Sequence, residues 1–468
     1  MSDTKENTPK SENTGEGRER NNKNRNRNRN RNRNRNRKPE EEGSETDGSK
    51  DNAPKNDTGN PEGKGRNRNR NRNRNRNKQK APAKDVKAAP VSAEETQLLQ
   101  EQAALFNAPF DRSPSEKVQV PVFDKPVIGI TCGDLNGIGF EVIIKALENK
   151  EILDLCTPVV FGSSKVASYH RNALDMKDFN FYICDSIEDI KEKKVNLVNT
   201  WDDNVELELG TPTDVSGSYA LKSIDAAIQA AKTGKIDAIV TAPINKHNIS
   251  SSVEGFSGHT GYLAEAFEGE ALMILATETL KVATVTGHVP VNKIAEELTT
   301  EKITSSIETL AKSLKRDFGC VRPTIAVLGL NPHAGEMGTI GSEEAEIIKP
   351  AIESADVKGA IIRGPYAADG FFGQRYDQKF DAVLGMYHDQ VLVPFKAIAM
   401  GSGTNFTAGL TAVRTSPDHG TAMHLAGKNE SEEGSFRYSL FAAIDIVNSR
   451  KVYDEITANP LKKQKDKH

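Results

Sequence analysis

Thr324-Ile325-Ala326-Val327-Leu328-Gly329-Leu330-Asn331-Pro332-His333 is a β-rich apolar run that halts at Asn-Pro and delivers a histidine. A short apolar run bounded by turn residues reads as a buried strand. The same grammar recurs twice: Lys281–Thr286 leads through Gly287 to His288, and Asp381–Met386 leads through Tyr387 to His388. Outward from these, strands are expected at Val127–Thr131, Pro158–Phe161, Ala238–Thr241, Val282–Thr286, Thr324–Leu330 and Ala382–Met386. Amphipathic stretches between them predict helices at Glu141–Leu147, Ala220–Thr233, Thr300–Lys315 and Ser342–Ser354. Ser342 is the expected N-cap of the last, with Glu343 and Glu344 at the positive end of its dipole. Strand alternating with helix predicts an α/β fold with largely parallel sheets. About 340 residues of this texture suffice for two such domains around a cleft.

The chain has 468 residues and a formal net charge of −3. Residues 1–80 hold 24 basic and 13 acidic residues, so a basic tail precedes an acidic body. Asn and Arg alternate from Asn24 to Arg37 and again from Arg66 to Asn77. Almost nothing apolar is available there to offset the entropy of ordering, so a disordered tail is expected. Such a tail suits RNA or another polyanion through counterion release, although no aromatic residue is interleaved to stack on bases. A solubilising low-complexity extension is the plainer reading. Residues 91–110 carry one short helical period with Leu98 and Leu99 and read as a linker, giving a tail and linker over 1–115. No run of about 18 apolar residues occurs, which excludes a transmembrane helix, and the N-terminus lacks an apolar secretory core. Cys132, Cys156, Cys184 and Cys320 lie far apart with no C-x-x-C, which suits reduced thiols and a cytoplasmic enzyme.

His288, His333 and His388 each follow a strand-like run, and ligands in open α/β sheets bind beyond the carboxyl ends of strands. Taken singly, each is an ordinary loop histidine. Three in matched contexts suit convergence on one divalent metal with an open position for substrate. Asn331, Glu336, Asp389 and Gln390 are placed to orient the imidazoles. Ser257-Gly258-His259-Thr260 precedes an amphipathic stretch and offers donors near a helix start. Lys396, Asn405 and Arg414 add charge and hydrogen bonds for a phosphorylated or carboxylated small molecule. Gly133–Gly139 joins a strand to a helix, and Gly401–Thr407 is a second glycine-rich segment. Neither spells a Rossmann fingerprint, and no P-loop, serine elbow or His-Glu-x-x-His motif occurs.

Several of these stretches together resemble the 4-hydroxythreonine-4-phosphate dehydrogenase family. They are Gly133-Asp134-Leu135-Asn136-Gly137-Ile138-Gly139, Thr241-Ala242-Pro243-Ile244-Asn245-Lys246, Ser257-Gly258-His259-Thr260, Leu330–Glu336, Met386–Gln390 and Arg414–Ala422. The likeness runs from about Pro126 to Gly427 and leaves the basic tail aside. Cys132, Leu135 and Phe140 stand where that family usually has proline, and Gly287 precedes His288 where threonine is usual.

The resemblance implies an isocitrate/isopropylmalate dehydrogenase-like fold. One α/β/α domain is expected over 116–250, completed by 428–460, and a second over 251–427 with the metal and substrate site. It implies a homodimer with each active site at the subunit interface, and NAD or NADP as cofactor. One divalent cation (Zn, Mg, Co or Mn) is expected on His288, His333 and His388. His259, Thr260, Asp369, Lys396, Asn405 and Arg414 are the implied substrate contacts. His259, Lys396 and Asp369 remain alternatives for proton transfer. Asp418-His419-Gly420-Thr421-Ala422 is similar to an adenosine-binding loop. The implied reaction is oxidation and decarboxylation of 4-phosphohydroxy-L-threonine to 3-amino-2-oxopropyl phosphate, in vitamin B6 biosynthesis. A sister activity on threonate or erythronate phosphate is the near rival. A metal-dependent hydrolase and an RNA-binding protein are rivals from other classes.

Overall fold

The structure, a computed structural model, describes residues 124–460 apart from 251, 252, 254, 257 and 400. The expected disordered tail, the 91–110 linker and Ser257 lie outside the described residues. Twelve strands form one sheet. They are β1 (Val127–Thr131), β2 (Thr157–Gly162), β3 (Tyr182–Cys184), β4 (Asn196–Asn199), β5 (Ala238–Thr241) and β6 (Gly269–Ala276). Then follow β7 (Lys281–Thr284), β8 (Thr324–Leu328), β9 (Ile361–Tyr366), β10 (Ala382–Gly385), β11 (Thr404–Leu410) and β12 (Val413–Pro417). Their order is β3-β4-β2-β1-β5-β12-β11-β6-β7-β10-β8-β9. All six expected strands are present to within two residues at either end.

The sheet is parallel from β3 to β12 and again from β7 to β9. Between these blocks the pairs β12–β11, β11–β6 and β6–β7 are antiparallel. Three successive reversals leave the two blocks running in opposite senses. β7, β10 and β8 are neighbours within one block, so the runs ending in His288, His388 and His333 leave the sheet at one common edge.

The strands β2, β5, β7, β8 and β10 are buried at every residue. Helices on both faces account for that, as in other largely parallel sheets. The helix Thr300–Arg316 shows how one forms: the Thr299 side chain accepts from Lys302 N, Glu301 sits in the first turn, and Lys315 and Arg316 in the last. Its buried stripe, Ile303, Ile307, Leu310 and Leu314, follows the helical period. The helix Gly434–Ala458 is pinned over the antiparallel junction. Thr404 Oγ1 meets Ser439 Oγ at 2.8 Å, and Thr415 Oγ1 donates to the Ser439 carbonyl at 2.8 Å.

The expected Ser342 cap is not found. The helical run starts at Glu343, passes through a π-helical turn at Glu344–Ile348 and continues as α-helix to Ser354. Ser342 takes part through its carbonyl, which accepts from Ala345 N at 2.9 Å and Glu346 N at 2.8 Å. Glu343 and Glu344 turn their carboxylates onto Asn331 at 2.7 and 3.1 Å. The π turn thus serves the His333 loop. The four cysteines are free, buried thiols. Among the described residues, no helix is long and apolar enough to cross a membrane.

Candidate active site

Arg414 stands near the start of β12 and is only 3% exposed. Its Nε and Nη2 donate to Thr241 Oγ1 at 3.2 and 2.8 Å, and its Nη1 donates to Thr407 Oγ1 at 3.2 Å. β5, β12 and β11 therefore build one hydroxyl-lined slot around it. Among the described residues no carboxylate pairs with this guanidinium. A buried cation with only neutral partners has its charge uncompensated by the chain. Burial pulls its pKa down to about 9, which still leaves it protonated at neutral pH.

His259 opens the helix His259–Ala266. Its Nε2 is buried without a hydrogen-bond partner. Burial holds its pKa well below the ordinary histidine range, helped by the positive charges of Arg414 and then Lys246, so the ring is neutral. Thr260 follows in the first turn. Asn405, on β11, leaves its Oδ1 buried and without a partner. Orphaned buried polar atoms are rare enough that two beside a buried, unpaired arginine point to a missing polar ligand.

His288 and His388 come together, with ring centroids 5.2 Å apart. Burial first, then Lys246 and His388, lower the His288 pKa. His388 opens the helix His388–Ala399 rather than a loop. Its Nδ1 meets Asp389 Oδ1 at 2.6 Å, which leaves Nε2 for another partner. The pair therefore fits a divalent cation, with a carboxylate orienting one imidazole. His333 is exposed on its own turn, and among the described residues no group of three His, Cys, Asp or Glu side chains is assembled to hold a metal. One chain thus brings together two of the three expected histidines.

Of their expected orienting neighbours, only Asp389 touches an imidazole. Gln390 instead clips two strand ends, accepting from Met386 N at 2.7 Å and donating to the Gly329 carbonyl at 2.6 Å. Asn331 is engaged by Glu343 and Glu344, and Glu336 is exposed.

The 418–422 segment lies against the first glycine loop. Ile138 N donates to the Thr421 carbonyl at 3.1 Å, and a Cβ on Gly137 would come within 3.0 Å of that oxygen. Asp418 is fixed by Ser435, whose Oγ donates to its Oδ1 at 2.8 Å. His419 bonds the Gly420 carbonyl through Nδ1, and its Nε2 is buried and unpartnered. Ala422 adopts left-handed backbone, with φ +40°. Lys396 donates to the Asp418 carbonyl at 3.2 Å, so it stands by this loop. Asp369 is exposed in the short helix Ala368–Gly373. His259, Lys396 and Asp369 do not hydrogen-bond one another.

Sequence reading missed three participants. Thr241 was legible as a strand end and the start of a quoted motif, and Thr407 only as the end of a glycine-rich segment. Lys246 lies in a quoted motif, yet its place at the head of the His259 helix depends on the fold.

The family described as pyridoxal phosphate biosynthetic protein PdxA matches residues 154–443. The chain belongs to this family. A 4-hydroxythreonine-4-phosphate dehydrogenase of Bacteroides thetaiotaomicron is 48% identical over 339 residues, 72% of this chain and 93% of that protein. A protein of Oceanobacillus iheyensis, named provisionally as a D-threonate 4-phosphate dehydrogenase, is 38% identical over 331 residues, 70% of this chain and 99% of its own. The crystal structure of a 4-hydroxythreonine-4-phosphate dehydrogenase from Klebsiella pneumoniae shares 33% identity with a TM-score of 0.61, covering 69% of this chain and 98% of that one. The PdxA-family chain described here is thus an oxidoreductase of the dehydrogenase type with the α/β fold of its relatives.

Proposed function

We propose that this PdxA-family enzyme oxidises 4-phosphohydroxy-L-threonine with NAD or NADP. Loss of CO₂ from the resulting β-keto acid then gives 3-amino-2-oxopropyl phosphate, a step in making pyridoxal phosphate. The observation that carries this reading is Arg414, buried without an acidic partner among the described residues and lined by the Thr241 and Thr407 hydroxyls. Such a slot suits a phosphate, whose oxygens accept from a guanidinium fork.

Asn405 and Thr260 stand with Arg414 as substrate contacts, and the neutral ring of His259 can accept a proton at Nε2. Lys396 and Asp369 are the other groups assigned to substrate binding and proton transfer. His288, His388 and His333 would hold the divalent cation (Zn, Mg, Co or Mn), which when bound supplies Lewis-acid polarisation of the substrate oxygen. Since His333 is not assembled with the other two in one chain, the set fits a homodimer whose subunit interface completes the site. Asp418–Ala422 would hold the dinucleotide, which would supply the hydride acceptor. The division into 116–250 with 428–460, and 251–427, fits a cleft around the antiparallel junction.

The D-threonate relative favours one second reading, oxidation of a four-carbon sugar-acid phosphate by the same slot. NADH absorbance with each substrate at equal concentration decides between them. Higher kcat/KM with 4-phosphohydroxy-L-threonine is expected. Turnover with threonate or erythronate phosphate alone would overturn the first reading in favour of the second.

A further inference from the structure

We propose that Lys246 is a substrate-binding residue, the second cation that joins Arg414 in seating the substrate's phosphate beside His259. This rests on the phosphorylated-substrate reading above and names a group that the reading does not use. A phosphate monoester carries about −1.5 to −2 charges at neutral pH, so one arginine leaves it under-neutralised.

The chain places Lys246 to supply the remainder. Thr241, which holds Arg414, ends β5, and Lys246 starts the next short helix, Lys246–Ser250. From there its side chain lies across Gly258, the residue that precedes the His259 helix. A Cβ on Gly258 would sit 2.7 Å from Lys246 Cε and 3.2 Å from its Nζ. Gly258 also has φ +107°, so the backbone favours glycine where the flexible end of the lysine crosses. The ammonium therefore stands at the amino end of an eight-residue helix, next to His259 and Thr260. Among the described residues it has no hydrogen bond and no ion pair.

One further observation agrees with that position. Arg414 and Lys246 both act electrostatically on the His259 ring, so they flank the same imidazole. The Lys246 side chain is exposed, so the ammonium is open to an arriving anion at the head of the His259 helix.

The test is calorimetric titration of inorganic phosphate into the full-length wild-type protein, Lys246→Met and Lys246→Arg at fixed ionic strength. Weakening of tenfold or more is expected in Lys246→Met, with most of the affinity restored in Lys246→Arg. The KM for 4-phosphohydroxy-L-threonine should rise by a similar factor, well beyond any fall in kcat. Unchanged phosphate affinity in Lys246→Met would overturn the assignment. So would wild-type protein that binds no phosphate, or a loss of binding matched by a collapse of the melting temperature in both variants. If phosphate binding depends on Lys246 but no hydroxy-acid phosphate yields NADH, the substrate reading fails and the Lys246 assignment stands.

Discussion

Arg414 is where burial and charge conflict most sharply. A guanidinium 3% exposed and bonded only to hydroxyls is costly in the empty protein and well compensated once an anion arrives. Arg414→Gln should therefore raise KM for the phosphorylated substrate far more than it lowers kcat. A charge-assisted contact is worth about 1.5–3 kcal/mol, roughly 10- to 150-fold in binding. Steady-state kinetics checks this, and an unchanged KM would make Arg414 a purely structural residue. His170 makes the opposite case, a buried histidine that serves the core. Its Nε2 meets the Leu135 carbonyl at 2.9 Å and its ring stacks on Phe140 at 5.2 Å. Burial lowers its pKa to about 4, against a weaker opposing pull from that carbonyl and Glu141. The unfolded chain binds this proton near pH 6.5 and the folded chain only near 4, so stability falls as the pH drops through that window. At pH 5 the cost is about 2 kcal/mol. Urea unfolding at pH 7 and pH 5 should show His170→Gln losing that much less than wild type over the interval. Both residue types are visible in sequence, but their environments are not. Arg414 is legible as a cation in a Gly/Thr-rich segment, while its burial depends on pairing with β5, 173 residues away in the chain, as well as on the neighbouring β11. Lys246 escapes notice because a lysine in a loop ordinarily reads as solvated.

The turn that carries His333 shows how elements share strain. His333, Ala334, Gly335, Glu336 and Met337 all have positive φ, between +42° and +79°. Left-handed backbone costs a non-glycine residue roughly 1–2 kcal/mol, so something must hold four such residues in place. Glu344 does this from the π-helical turn: its Oε1 accepts from Asn331 N at 2.7 Å and its Oε2 from Asn331 Nδ2 at 3.1 Å. A Cβ on Gly335 would come within 2.5 Å of that Oε2, so the turn is wrapped closely around the carboxylate. Glu344→Ala should lower thermal stability by about 1–3 kcal/mol through the orphaned Asn331 donors. Metal content per chain, read by elemental analysis, should fall with it if His333 is a ligand. Full metal content in a destabilised variant would separate the turn from the metal site. At this scale the sequence read well wherever pattern is local. The strands before the three histidines and the helix Thr300–Arg316 follow from periodicity and caps. The reversal at β11, β6 and β7 does not, because strand direction is set by pairing partners distant in sequence. The Ser342 cap failed for a related reason. The glutamates that suit a helix dipole are recruited by Asn331, and the helix opens as a π turn to present them.

Across the whole molecule the 468 residues divide by charge into a basic first 80 and an acidic remainder. The relative from Bacteroides thetaiotaomicron aligns over 339 residues, 93% of its own length but only 72% of this chain, so most of the extra length has no counterpart in that relative. Every residue assigned to substrate, metal or dinucleotide lies after Val127. Deleting residues 1–110 should therefore leave melting temperature, oligomeric state and turnover nearly unchanged, as measured by calorimetry, light scattering and NADH absorbance at matched concentration. The deleted segment carries the two Asn/Arg tracts, and its removal takes the chain from a nearly balanced charge to a clearly acidic one. If the tracts engage RNA, full-length protein should bind a generic single strand with affinity that falls steeply with salt, since each neutralised phosphate releases counterions. The truncated protein, net negative, should not bind. Screening reaches to about 10 Å at 0.1 M salt, so any electrostatic influence of the tail on the enzyme body should fade over the same range. A large fall in turnover on truncation, at low and high salt alike, would place the tail inside the working enzyme. Salt-independent RNA binding would mean that something other than its charge does the recognising.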